Sequence, residues 1–253
     1  MKIVISQSAE ELGRKAAAMA AKTLNESIRE KGAAYLLVST GMSQFTTFEA
    51  LLKEDIDWSK VEMFHLDEYI DLPKGHPASF IKYLKERFTG HIALKAAHFV
   101  DPDIGVEAIM NKLSAELEKK PLDLGLIGIG ENAHIAFNDP PADFTDDRAF
   151  KVVELDEGCR RQQLGEGWFG TLEDVPKEAV TMTVKQILKC KRIISAVPYK
   201  VKAEAVRRTL TAETPTPQIP ATALMTHPDV TLFLDADSAS LIDETIIKRR
   251  SAE

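Results

Sequence analysis

The chain has 253 residues, 44% of them hydrophobic and 28% charged, with a formal net charge of −7 and a sequence pI near 5.5. That length suits one large α/β domain without requiring a second. The acidic balance argues against a nucleic-acid or anionic-membrane surface, since both want a basic face, but local N–H groups and one or two cations can still hold a small anion.

Residues 2–5 read as a short strand. Ser8 then opens a helix with Glu11 three residues on, a capping-box pattern, and the alanine-rich helix runs to about Lys31, where Gly32 punctuates it. Residues 34–38 (AYLLV) form an apolar strand, followed by the turn STGMS and a helix through Phe48 to Leu52. Residues 61–66 (VEMFHL) give the next strand, and Pro77 opens a helix to about Phe88, at the position a helix favours for proline. A brief strand over 97–100 and a helix over 106–117 lead to residues 122–128, apolar enough for burial on both faces of a parallel sheet.

After an irregular stretch over about 139–176, the pattern resumes. A helix spans 184–189, a strand 192–197, a helix 200–210 and a strand 230–234. This alternation predicts a single α/β domain: a doubly wound, mainly parallel, Rossmann-like sheet flanked by helices, with the irregular segment as a lid. No repeat or low-complexity tract stands out, and the proline-rich TAETPTPQIP reads as a surface loop.

Two cysteines, Cys159 and Cys190, lack CxxC spacing and suit a reducing compartment. The start, MKIVISQSAEELG, is too polar for a signal sequence, and the apolar run at 122–129 is far shorter than the ~18 residues of a membrane span. A soluble cytoplasmic protein is the expectation.

In such sheets ligands bind beyond the carboxyl ends of strands, near where strand order reverses. Three strand ends carry chemistry. In STGMS, Thr40, Gly41, Met42 and Ser43 turn from a strand into a helix, an arrangement suited to a phosphate or carboxylate. It lacks the Walker ending and GxGxxG, and an N-capped tight turn accounts for it equally well. In HLDEY, adjacent carboxylates Asp67 and Glu68 point to opposite sides of an extended chain, so at most one faces a crevice; the other is a cap or surface group. A carboxylate so placed, with its pKa raised by partial burial, can carry protons.

The third string is GIGENAHIAFND. His134 is the side chain type best able to exchange protons near neutrality, and Asp139 or Glu131 can fix its tautomer. Gly128 and Gly130 favour close approach of a ligand, although a lone histidine beside a strand is more often structural. Lys200, after the strand RIISAV, can add a charge to a phosphate site, and Arg160 and Arg161 can reach an anion from the lid or merely be solvated. The histidines show no metal-ligand spacing.

Taken together, VSTGMSQFTTFEAL, FHLDEYIDLPKGHPASF, GIGENAHIAFNDP, PKEAVTMTV and a lysine after the next strand span nearly the whole chain. In that order they resemble the glucosamine-6-phosphate deaminase (isomerase) family. The related 6-phosphogluconolactonases share the fold but typically continue H-T-A-S-L-F where this chain has HIAFN.

The resemblance implies that Asp67 shuttles a proton between C2 and C1, that His134 opens the pyranose ring, and that Asp139, at the family's usual glutamate position, orients it. It puts Thr40, Gly41, Met42 and Ser43 on the phosphate loop, Lys200 on the phosphate-contacting lysine, and requires no metal or organic cofactor. The chain departs from the family pattern at Asn132, where Asp is frequent, at Ala133 and Met42, where Gly is frequent, and in LDEGCRRQQLGEGWF, where a lid arginine normally binds phosphate. Asn132 cannot carry a proton and is left to hold His134 by hydrogen bonding.

The implied activity is isomerisation with deamination of a 2-amino-2-deoxyhexose 6-phosphate, in the glucosamine or galactosamine form, by an enzyme of hydrolase class. Its partner is a small sugar phosphate, with no nucleic acid or membrane, and a homo-oligomer is left open. Two other readings remain: a 6-phosphogluconolactonase-like hydrolase needing only one base, and a non-catalytic sugar-phosphate-binding module, which would have little need for both Asp67 and His134.

Overall fold

The computed structural model describes residues 1–73, 75–165 and 167–252; Lys74 and Glu166, inside two of the strings quoted above, lie outside that description. Strand β1 (Lys2–Ser6) leads into α1 (Ala9–Lys31), β2 (Ala34–Val38), α2 (Phe45–Leu51), β3 (Val61–His65), β4 (Asp67–Tyr69), α3 (Phe80–Arg87), β5 (Ala96–His98) and α4 (Val106–Lys119). Strands β6 (Leu124–Leu126) and β7 (Phe150–Glu154) follow, then α5 (Glu157–Gly165) and β8 (Glu178–Met182). The chain ends with α6 (Val184–Ile187), β9 (Arg192–Val197), α7 (Ala203–Thr211), β10 (Val230–Asp235) and α8 (Glu244–Ala252).

Seven strands form one sheet in the order β1-β10-β9-β6-β2-β3-β5, and every pairing in it is parallel. Helices cover both faces, one over a core that includes Leu37, Phe64, Ile127 and Val197, the other over Leu12, Ala16, Ala20, Leu36 and Phe48. The alanine-rich face of α1 lets that long helix lie close to the sheet, burying Ala16, Ala17 and Ala20 completely. The capping signal at its start is realised: the Ser8 hydroxyl accepts from Glu11 N at 3.3 Å, and Glu11 Oε2 accepts from Gln7 N at 2.8 Å. Gly32 closes it at φ 77°, with its N–H bonded to Ile28 O.

Four features depart from the sequence reading. The helix expected from Pro77 begins at Phe80, because the Ser79 hydroxyl accepts from Lys82 N and takes the cap. The helix expected from Lys200 begins at Ala203, after a single 3₁₀ turn over 200–202. The supposedly irregular stretch over 139–176 contains a strand and a helix, and β7 pairs antiparallel with β8, which pairs with β4, in a second sheet of three strands. These strands are short and alternate weakly, so their pairing comes from neighbours remote in sequence. Finally, α8 was not foreseen, since its exposed, charge-rich sequence has little apolar periodicity. Among the described residues no helix is long and apolar enough to cross a membrane.

Candidate active site

Strand order reverses between β2 and β6. From β2 the chain winds outward through β3 and β5; from β6 it winds the other way through β9 to β10, which lies beside the first strand, β1. The loops leaving β2 and β6 therefore part at their carboxyl ends and open a crevice. They are also stitched together: Ser39 N donates to Leu126 O at 2.9 Å, and Gly128 N donates to Ser39 Oγ at 3.0 Å.

A cleft with about 780 Å³ of empty space, its mouth included, occupies this place. One side is the loop Ser39–Ser43, in which Gly41 adopts φ 100°, a conformation that favours glycine. Tyr83 pins the loop by donating its hydroxyl to Gly41 O at 2.9 Å. Asp67 lines the cleft as well, on the short strand β4 of the second sheet. It is 5% exposed, and burial pushes its carboxyl up to about 8, helped by the neighbouring charge of Glu68 and opposed by the backbone N–H of Phe137.

Glu68 faces the other way, as strand alternation requires. Its carboxylate accepts from Ser79 Oγ at 3.0 Å, Phe80 N at 3.2 Å and Ile81 N at 2.8 Å, and from its neighbour Tyr69 N at 3.0 Å. It thus caps the start of α3 and is held away from the cleft. Burial pushes the Glu68 carboxyl up, and these four hydrogen bonds oppose the shift.

The loop after β6 brings His134 to the same cleft. Its Nδ1 lies 3.0 Å from Asp139 Oδ1, without the straight alignment of a full hydrogen bond. Asn132 holds both partners. Its Nδ2 donates to Asp139 Oδ1 at 2.9 Å, and its Oδ1 accepts from His134 N at 2.9 Å. Burial pushes Asp139 upward, but the close approach of His134 and hydrogen bonds from Asn132 and Cys159 outweigh it and hold the carboxyl below the usual range.

Gly130 makes this packing feasible: a Cβ there would sit 2.2 Å from His134 Nε2. Among the described residues four non-glycine positions have positive φ, and three of them, Ala133, Ala136 and Tyr199, belong to or adjoin this cleft. Such strain is costly and concentrates where a fixed backbone has work to do.

The cationic residues fall differently from expectation. Lys200 does not line the cleft; its Nζ donates to Ser240 Oγ at 2.7 Å. Lys202, only 8% exposed, lines the cleft instead, because the 3₁₀ turn rotates the second lysine inward before α7 begins. Neither lid arginine lines it: Arg160 donates to Leu172 O and Arg161 pairs with Glu157. Arg161 faces an adjoining open groove with Met42, Asn132 and Gln162.

From the lid helix α5 the residues that reach the cleft are Gln162 and Gln163. Sequence reading missed Lys202, Gln163, Phe137 and Tyr199. No local pattern separates a buried lysine from an exposed one two positions away, and glutamine carries no charge signal. Among the described residues no cluster of three or more His, Cys, Asp or Glu side chains is placed to hold a metal ion.

The geometry has parallels in known proteins. Residues 7–233 match the model of the family described as glucosamine-6-phosphate isomerases/6-phosphogluconolactonase. A glucosamine-6-phosphate deaminase from Thermoanaerobacter pseudethanolicus is 35% identical, the match covering 98% of each chain. One from Bacillus cytotoxicus is 34% identical, over 97% of this chain and 91% of that one. Among solved structures, a monomeric glucosamine-6-phosphate deaminase superposes with TM-score 0.85 at 32% identity, over 96% of this chain and 100% of that one.

The 6-phosphogluconolactonase of Thermotoga maritima reaches TM-score 0.74 at 16% identity, covering 92% of this chain and 99% of its own. That likeness is one of fold. Sequence match along nearly the full length and a shared sheet topology lead to the same assignment: this chain belongs to the family of glucosamine-6-phosphate isomerases and 6-phosphogluconolactonases.

Proposed function

We propose that the protein converts a 2-amino-2-deoxyhexose 6-phosphate and water into a ketohexose 6-phosphate and ammonia. The observation that carries this reading is Asp67, a buried carboxylate with its proton affinity raised to about 8, in one cleft with the His134–Asp139 pair. Lactone hydrolysis needs one base; aldose–ketose isomerisation needs a group for the ring oxygen and another for the adjacent carbons, and the cleft holds both kinds.

The phosphate is received by the loop Ser39–Ser43, with Lys202 supplying the opposing charge. His134, oriented by Asp139, takes the proton from O1 and returns one to O5, opening the ring. Asp67 removes the proton from C2 and delivers it to C1, and the electron pair moves from the C2–H bond through the enolamine to leave C2 as an iminium. Water adds to C2 and the C2–N bond breaks, releasing ammonia and the ketose, so the net balance consumes one water.

Asn132 bonds to both His134 N and Asp139 and so serves as a brace. The reading carries with it a soluble, cytoplasmic enzyme acting on a small molecule, with no nucleic-acid or membrane partner.

The test is a panel of glucosamine, galactosamine and mannosamine 6-phosphates and 6-phosphogluconolactone, with ammonia, ketose phosphate and acid measured separately. Equal release of ammonia and ketose phosphate from one or more amino sugars is expected. Lactone hydrolysis without ammonia release overturns the proposal.

A further inference from the structure

We infer that Gln163, on the lid helix, is a specificity-determining residue whose side-chain amide donates to a hydroxyl of the sugar skeleton. This rests on the function proposed above and deepens it.

Gln163 is 5% exposed and lines the cleft with Asp67 and His134. Its Oε1 is occupied, accepting from the Tyr69 hydroxyl at 2.6 Å. That bond fixes the amide's orientation and leaves Nε2 as the group it offers. Among the described residues Nε2 has no hydrogen-bond acceptor, and it is not sealed from solvent. A nearly buried amide whose donors open into a cleft is unsatisfied until an acceptor arrives there.

The position narrows what that acceptor is. Tyr69 is two residues from Asp67 on β4 and so shares its face of the strand. The Tyr69 ring packs 4.9 Å from that of Phe80 and 5.2 Å from that of Phe137, and both of these line the cleft. Phe137 N is also the backbone donor to Asp67. Gln163 is therefore anchored at the Asp67 end through Tyr69, and its clamp is not part of the anion loop Ser39–Ser43, which Tyr83 holds. A neutral donor at that end matches a hydroxyl of the sugar skeleton, not the phosphate. Glucosamine and galactosamine differ in the orientation of the C4 hydroxyl, and mannosamine instead in that of the C2 amine; a site built to bond a hydroxyl rejects the analogue that cannot present it.

The experiment compares Gln163→Met and Tyr69→Phe with wild type, measuring kcat and KM for the three amino-sugar 6-phosphates and thermal unfolding of each variant. Gln163→Met keeps the side chain's size and removes the amide; Tyr69→Phe removes the hydroxyl that clamps it. The expected result is that Gln163→Met changes the ratio of kcat/KM between epimers by about tenfold, while Tyr69→Phe changes it much less. An epimer ratio unchanged in Gln163→Met, or shifted equally in both variants, overturns the inference by reducing Gln163 to a structural partner of Tyr69.

If Gln163→Met does not fold, Gln163→Asn, which keeps the amide but withdraws it from the cleft, is read by the same ratio. If wild type releases no ammonia from any epimer, the reading under Proposed function fails. The ratio is then taken from calorimetric affinities for the corresponding amino-alditol 6-phosphates, so the two failures are told apart.

Discussion

Asp67 and Glu68 are neighbours with opposite fates, and strand alternation assigns them. Because burial raises Asp67 to about 8, kcat/KM should rise with pH along an acid limb near that value. Asp67→Asn should cost roughly 100-fold or more in turnover. The same substitution should stabilise the fold. A carboxyl whose folded pKa exceeds its unfolded value of 3.8 opposes folding increasingly as pH rises from 3.8 to about 8, so the gain in Asp67→Asn should be near zero at pH 4 and largest at pH 8 and above. Thermal unfolding across that window checks it; a gain that shrinks with rising pH contradicts the burial argument. At this scale the sequence was informative where a residue's task depends on its own type. The expectation of one inward carboxylate came from alternation; spacing left Asp139 or Glu131 as the partner of His134, and the family resemblance chose Asp139. Lys200, Arg160 and Arg161 were beyond its reach, because which of several nearby cations turns inward depends on one 3₁₀ turn and on how α5 seats.

The element that carries Asp67 is β4, three residues long and tied at both sides. It pairs with β8 and is fastened to α3 through Glu68, whose two carboxylate oxygens accept four hydrogen bonds. Glu68→Gln places an NH₂ against donors and loses at least one such bond, so stability should fall by roughly 1–3 kcal/mol in denaturant unfolding. It also removes the charge that helps raise Asp67, so the acid limb of kcat/KM should move to lower pH. An unmoved limb in a folded Glu68→Gln variant would show that Glu68 acts on structure alone. The central strands and long helices were legible, since apolar runs and a capping box are local signals. The second sheet was not. Strands β4, β7 and β8 are brief and lie far apart in the chain, and their pairing is decided by tertiary contact.

Across the molecule, charge is spent on holding the parallel sheet as well as on chemistry. Glu62, on β3, is 3% exposed and takes Lys95 at 3.0 Å, His98 at 2.9 Å and Lys120 at 2.7 Å. Burial pushes its carboxyl up, yet the three partners prevail and hold it at about 2. A carboxyl depressed in the folded state adds stability above its unfolded value of 4.5 and loses that contribution as pH falls toward 2. Glu62→Gln should therefore cost on the order of 2 kcal/mol at pH 7, and clearly less at pH 3, in denaturant unfolding. A cost independent of pH would refute the ionic account. The fold class emerged from alternation of strands and helices, and the site from the place where strand order reverses; together they make one claim, that a single carboxylate serves two adjacent carbons. Turnover of glucosamine 6-phosphate in D₂O, with the ketose phosphate analysed by NMR, tests that claim most directly. Protium carried from C2 to C1 in part or all of the product, accompanied by an equal amount of ammonia and lost together with turnover in Asp67→Asn, is the predicted result. Ammonia and ketose phosphate formed at wild-type rate by Asp67→Asn, with the same protium carried to C1, would contradict it.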